Sequence, residues 1–167
     1  ARGLHKILPG VGKKLGNDVE IIVIGDGGKR QNLVNAIQEQ RCMNVRIIPP
    51  VSRQLLLDYY QKCNILLLHL NDTKAFEEVI PSKLFEYAAT GKPILAGVKG
   101  FSRDFILKNI KNCKVFDPCD QEGCIKAYER LSMENVDRTQ FSKKYSLLKI
   151  MSKMSLDIIN TNLEEAN

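Results

Sequence analysis

Five short apolar runs, separated by segments of helical periodicity, constrain this chain more than any other feature. Val19–Ile24, Val45–Ile48, Ile65–Leu70, Pro93–Val98 and Lys114–Phe116 are rich in aliphatic and β-branched residues. Most lack a strict polar–apolar alternation, as strands buried on both faces do. The intervening segments repeat apolar residues every three or four positions. Leu33, Val34 and Ile37 form one such set, Leu55, Leu56 and Tyr59 the next, and Leu84, Phe85, Ala88 and Ala89 a third. Ser102–Asn109 reads as a short helix, and Asp120 as the cap of one running through Ile125, Tyr128 and Leu131. Connections of this length carry a helix between parallel strands. The expected fold class is α/β: a Rossmann-like, doubly wound parallel sheet covered on both faces.

Helical segments also stand at the two ends. Leu4, Ile7, Leu8, Val11 and Leu15 share one face of an opening helix, in which Pro9 should mark the first turn or a kink. A last helix is expected from about Gln140 to Ile159. Phe141, Tyr145, Leu148, Met151, Met154 and Ile158 line one face, and Lys143, Lys144, Lys149 and Lys153 the other. The chain therefore divides into an α/β domain over residues 1–135 and an amphipathic C-terminal helix over 136–167. The basic face suits packing against protein or peripheral contact with an anionic membrane surface.

Composition narrows the function classes. At 167 residues and 44% hydrophobic the chain has enough material for one full core. A net charge of +6 favours an anionic partner. With no Trp, no RNA-recognition aromatic signature and no zinc-finger spacing, nucleic acid is not the expected one. The apolar runs fall short of the ~18–20 residues of a membrane-spanning helix, and no signal-peptide core is visible. Five cysteines at scattered spacings (Cys42, Cys63, Cys113, Cys119 and Cys124) point to a reducing, cytoplasmic setting and to small buried hydrophobes. They do not form a paired zinc motif.

In open α/β sheets ligands bind beyond the carboxyl ends of the strands. This directs attention to Gly25–Arg30, Pro49–Arg53, Leu70–Ser82, Gly97–Ser102 and Asp117–Asp120. In Gly25-Asp26-Gly27-Gly28-Lys29-Arg30, arginine stands where a dinucleotide fingerprint needs its third glycine, which speaks against a redox cofactor. A tight turn with a solvated Lys-Arg pair is the plain alternative. Glu78 and Glu86 are separated by seven residues, the first in a loop and the second one turn inside a helix. Pro81 suits the first helical position, so this helix should direct its amino end and Lys83 toward an anion. Glu86 can accept hydrogen bonds from paired sugar hydroxyls; the plain alternative is a solvated helix residue with Lys83 as its neighbour. His69, at the end of the third strand, has a catalytic and a structural reading; with no partner identified to position it, the structural one is preferred.

Glu78-x7-Glu86 followed by Gly91-Lys92-Pro93-Ile94 resembles the E-x7-E and G-x-P-(V/I) signature of the retaining family 4 glycosyltransferases (group 1 type) of GT-B fold. Ile22–Gly27, Asn44–Tyr60 and Phe116–Leu131 resemble further family segments in order, so the likeness covers most of residues 4–132. Ile80-Pro81-Ser82-Lys83-Leu84-Phe85-Glu86-Tyr87 resembles the wording of bacterial surface-polysaccharide enzymes, the O-antigen N-acetyl-L-fucosamine transferases in particular.

The resemblance implies the C-terminal, donor-binding half of a two-domain enzyme, taking a nucleotide sugar (UDP-linked by preference) for transfer to a lipid-linked glycan acceptor. An N-terminal acceptor-binding domain is the implied partner, and the half alone should not turn over. Glu86 would bind the donor ribose and Glu78 the sugar hydroxyls. Gly25, Gly27 and Gly28 would face the diphosphate with Arg30, Val51 and its loop would touch the base, and Gly97 and Gly100 would line the sugar–phosphate end. No metal is implied, because helix dipoles and basic side chains would stabilise the leaving diphosphate. Two readings from other classes stand beside this one: a GT-B UDP-sugar 2-epimerase, and a non-catalytic nucleotide-binding module.

Three departures from the family pattern matter. Val79-Ile80-Pro81 replaces a Gly-Phe-Gly whose backbone meets phosphates, so Ser82 and Lys83 are expected to take over. Lys99-Gly100 replaces Gly-Gly. The first family strand is lacking before Leu4; in the order 3-2-1-4-5-6 that strand is central, so unpaired edges or a rearranged sheet are expected.

Overall fold

The computed structural model describes residues 2–146. Within them lie β1 (Ile21–Ile24), β2 (Val45–Ile48), β3 (Leu66–His69), β4 (Ile94–Gly97) and β5 (Cys113–Phe116). The helices are α1 (Leu4–Leu15), α2 (Arg30–Glu39), α3 (Arg53–Lys62), α4 (Lys83–Ala89), α5 (Gly100–Asn109), α6 (Gln121–Glu129) and α7 (Thr139–Lys144). The expected last helix begins as α7 but ends at Lys144, where Tyr145 leaves the helical backbone, and the rest of the expected span, from 147, lies outside the described residues.

All pairings are parallel. β1 pairs with β2 in the register Ile21↔Val45. β4 lies between β3 and β5, aligned Leu66↔Ile94↔Cys113 and His69↔Gly97↔Phe116. These are two sheets, β1-β2 and β3-β4-β5, instead of one. In the expected order β1 and β3 flank the first family strand, and among the described residues they do not pair with each other.

Alternate residues of the three-stranded sheet enter cores on opposite faces, the two-residue period of a strand buried on both sides. Leu68, Ile94, Ala96 and Val98 pack with Leu84, Ala88, Ile106 and Phe141 of α4, α5 and α7. Leu67 and Leu95 turn to the other face, among Ile7, Leu8 and Val11 of α1, Leu33 of α2 and Cys124 and Ala127 of α6. Ile21, Val23 and Ile47 join that second core, so α1 spans both sheets and welds them through apolar contact.

α1 also fixes the common direction of the strands. Gly3, its cap, lies against Asn71 beyond the carboxyl end of β3. At its other end, Asn44 Nδ2 stands 2.9 Å from the Gly12 carbonyl and 2.6 Å from that of Gly16, just before the amino end of β2. Both sheets therefore present their carboxyl ends to the same side, the side on which α1 begins.

Pro9 lies in the second turn of α1, not the first, and is buried; the helix continues through it to Leu15. The expectation about Pro81 is corrected. Pro81 is not the first helical residue: Ser82 is the cap and Lys83 opens α4. The Leu84 N–H bonds the Pro81 carbonyl, so the segment tightens into a turn before the helix is established. α5 begins two residues earlier than its sequence pattern suggests, which places Gly100 inside it.

Arg138 closes the fold at the amino side. Its guanidinium, 6% exposed, donates to the carbonyls of Lys92, Lys111 and Asn112, drawing together the entries to β4 and β5. Phe85, Phe105, Phe141 and Tyr145 stack beyond it, with ring centroids 4.7 Å apart at the closest pair.

Candidate functional site

The loops singled out from the sequence as ligand-facing follow the carboxyl ends of the strands. Gly25 follows β1 with φ 130°, a conformation that requires glycine, and its N–H bonds the Ile48 carbonyl. Gly27, Gly28 and Arg30 are exposed. A Cβ added at Gly27 or Gly28 would meet nothing within 4 Å. The packing of this chain therefore does not need those two glycines. Val51 lies in the adjacent loop, after β2. There Ser52 caps α3 as expected, its Oγ accepting from the Leu55 N–H at 3.3 Å.

Glu78 is exposed on the turn between β3 and α4. The first turn of α5 holds that turn from behind. The Phe101 N–H donates to the Glu77 carbonyl at 2.7 Å, and the Ser102 hydroxyl donates to the Val79 carbonyl. Gly100, at φ 56°, lets the two backbones meet: a Cβ there would lie 2.4 Å from the Glu77 oxygen. The residues on either side of Glu78 are thus anchored while its carboxylate points outward. Ser102 was not singled out from the sequence; its complete burial is the only trace of this role.

Glu86 and Lys83 are brought together. Lys83 Nζ lies 2.6 Å from Glu86 Oε2 and 3.3 Å from the hydroxyl of Tyr60, which reaches across from α3. Burial alone would lower the lysine's pKa, but the bonds to Glu86 and Tyr60 outweigh it and hold it above the ordinary value. Tyr60 is itself packed edge-on against Tyr87, whose hydroxyl burial pushes up to about 12. Tyr60 entered the sequence reading only as part of a segment. Its helical spacing from Leu56, which puts both on one face of α3, is the signal that marks it as inward-facing. Ser82 is exposed and makes no capping bond with its side chain.

Gly97 serves packing. A Cβ there would come within 2.4 Å of His69 and 2.7 Å of Phe116. His69 is 1% exposed and fully engaged: Nε2 accepts from the Cys119 N–H at 3.0 Å, which leaves Nδ1 to donate to the Arg2 carbonyl at 2.5 Å. Burial holds its pKa below the usual value. The structural reading of this histidine stands. It ties three loops of the carboxyl side together, and Cys119 takes a left-handed backbone, φ 63°, to reach it. Between those loops lies a shallow depression lined by Asp72, Thr73, Glu77, Lys99 and Pro118, with Lys99 and Asp72 paired at 3.0 Å.

The cysteines are small buried hydrophobes where the structure is most decisive. Burial raises the Cys113 and Cys124 thiols to about 12, too high for thiolate chemistry. Among the described residues no three His, Cys, Asp or Glu side chains cluster as metal ligands do. Nor is any helix there long and apolar enough to cross a membrane.

A family model, Glycosyl transferases group 1, matches residues 2–146. The chain belongs to the group 1 glycosyltransferases. No curated protein sequence matches it. Among solved structures, this group 1 domain is similar to AviGT4, a glycosyltransferase involved in avilamycin A biosynthesis, with a TM-score of 0.58 at 14% identity. The match covers 78% of this chain and 38% of that one, so the domain spans well under half the length of that relative. The likeness establishes a GT-B Rossmann-like fold.

Proposed function

We propose that this chain is the donor-binding half of a retaining glycosyltransferase that takes a nucleotide sugar, UDP-linked by preference, and serves surface-polysaccharide assembly on a lipid-linked acceptor. The observation that carries the reading is the position of Glu78 and Glu86. In a group 1 domain, they flank the passage from β3 into α4 at the side where parallel sheets bind ligands. Glu86 accepts from the ribose hydroxyls. Glu78, held by α5 from behind, meets the hydroxyls of the donor sugar. The Gly25–Gly28 turn and Arg30 take the diphosphate, and the loop of Val51 takes the base. The Ile80–Tyr87 wording supports the polysaccharide role, and the basic composition suits an anionic donor.

Departure of the diphosphate needs its charge met by backbone N–H groups and cations, which this side of the fold supplies. The acceptor site belongs to an N-terminal domain, and the cytoplasmic face of a membrane is the setting in which a lipid-linked acceptor is met. The test is sugar transfer or slow donor hydrolysis by the full-length enzyme over a panel of UDP-sugars. Glu78→Gln should lower kcat by about a hundredfold, the scale of one lost transition-state contact, while leaving UDP affinity within about twofold. Release of free 2-epimerised sugar, or unchanged kcat in Glu78→Gln, would contradict it.

A further inference from the structure

Lys83 was expected to serve as a phosphate contact, and its surroundings give it different work. Resting on the nucleotide-sugar reading above, we infer that Lys83 is a positioning residue: with Tyr60 it holds the Glu86 carboxylate aimed as the acceptor of the two ribose hydroxyls. Two contacts converge on one oxygen, and a third joins their donors. Lys83 Nζ lies 2.6 Å from Glu86 Oε2, the Tyr60 hydroxyl lies 3.5 Å from the same oxygen, and Lys83 Nζ and Tyr60 are themselves 3.3 Å apart. None of them involves Oε1, which keeps its accepting capacity for a diol.

An ion pair three residues apart on an exposed helix face holds its partners only weakly. Here the pair is tied to a second helix, because Tyr60 is buried and braced edge-on by Tyr87 at a centroid distance of 5.5 Å. Charge points the same way. Were Lys83 to swing to a phosphate, it would give up a charge-assisted bond and leave an uncompensated carboxylate beside an anionic donor, where like charges repel. Kept on Glu86, the ammonium removes that repulsion and lets a carboxylate stand in a site built for a diphosphate.

The test is calorimetric titration of the full chain with UDP, UMP and 2′,3′-dideoxy-UDP, after a first comparison with GDP sets the base of the series. Lys83→Met should weaken UDP and UMP by the same factor, about fivefold. It should leave dideoxy-UDP unchanged and add nothing in a Glu86→Gln background. Tyr60→Phe, which keeps the ring and its packing, should show the same pattern at smaller size. A loss that is larger for UDP than for UMP, or that persists for dideoxy-UDP, would make Lys83 a phosphate contact and overturn the inference. Absence of binding by either UDP or GDP to the wild-type chain would instead overturn the nucleotide reading beneath it.

Discussion

At the scale of single residues, His69 shows how much of the carboxyl side depends on one uncharged ring. Its Nε2 must accept from Cys119, so a proton there would set two donors against each other. The folded chain therefore holds this ring's pKa below 6.5, chiefly through burial. Above that value the ring is neutral in both folded and unfolded states. As pH falls through it, the unfolded chain binds the proton first, and stability drops until the folded value is passed. Urea denaturation at pH 7.5 and 5.5 should show the chain less stable at the lower pH. His69→Leu should flatten that difference, leaving the part that His5, shifted in the same direction, contributes. It should also cost about 2–3 kcal/mol at pH 7.5, because two backbone groups lose their partner. An undiminished pH difference in His69→Leu would place the titration elsewhere.

At the scale of elements, the glycines separate into two kinds that the sequence alone does not distinguish. Gly97 and Gly100 make room for neighbours inside the fold, whereas Gly27 and Gly28 face open space. Gly97→Ala should destabilise the chain by about 1–3 kcal/mol, as overpacking against a buried histidine and phenylalanine does. Gly27→Ala should leave stability within about 0.5 kcal/mol and reduce nucleotide affinity. Thermal melts and titrations on the two variants check this; equal stability losses would erase the distinction. Element positions were legible because local signals set them: β-branched runs for β1 and β2, Ser52 and Asp120 as caps, Gly91 after α4. What was not legible depended on distant partners. The start of α5 at Gly100 is drawn forward by the Glu77 carbonyl, and the later start of α4 follows from the turn at Pro81. Of the candidate site, the two glutamates and their side of the sheet could be read from spacing. The meeting of Tyr60 with Lys83 could not, because it joins α3 to α4 across 23 residues of sequence.

At the scale of the whole fold, two parallel sheets that do not pair among the described residues are joined by α1 laid over both, with α6 and α2 beside it. In the order 3-2-1-4-5-6, β1 and β3 are the strands on either side of the first family strand, and among the described residues they do not pair with each other. Continuous apolar packing on the α1 face lets the five strands keep a common direction without a common ladder, and so gathers the Gly25 turn, the Val51 loop and the two glutamates onto one side. The central claim is that this side is a nucleotide-sugar site with Glu86 at its ribose. Titration calorimetry of the chain and of Glu86→Ala with UDP tests it most directly. The expected result is selective binding of UDP over GDP by the wild-type chain and a loss of at least about tenfold in Glu86→Ala, the scale of a charged hydrogen-bond partner removed. Binding of UDP with the same affinity in Glu86→Ala would contradict it.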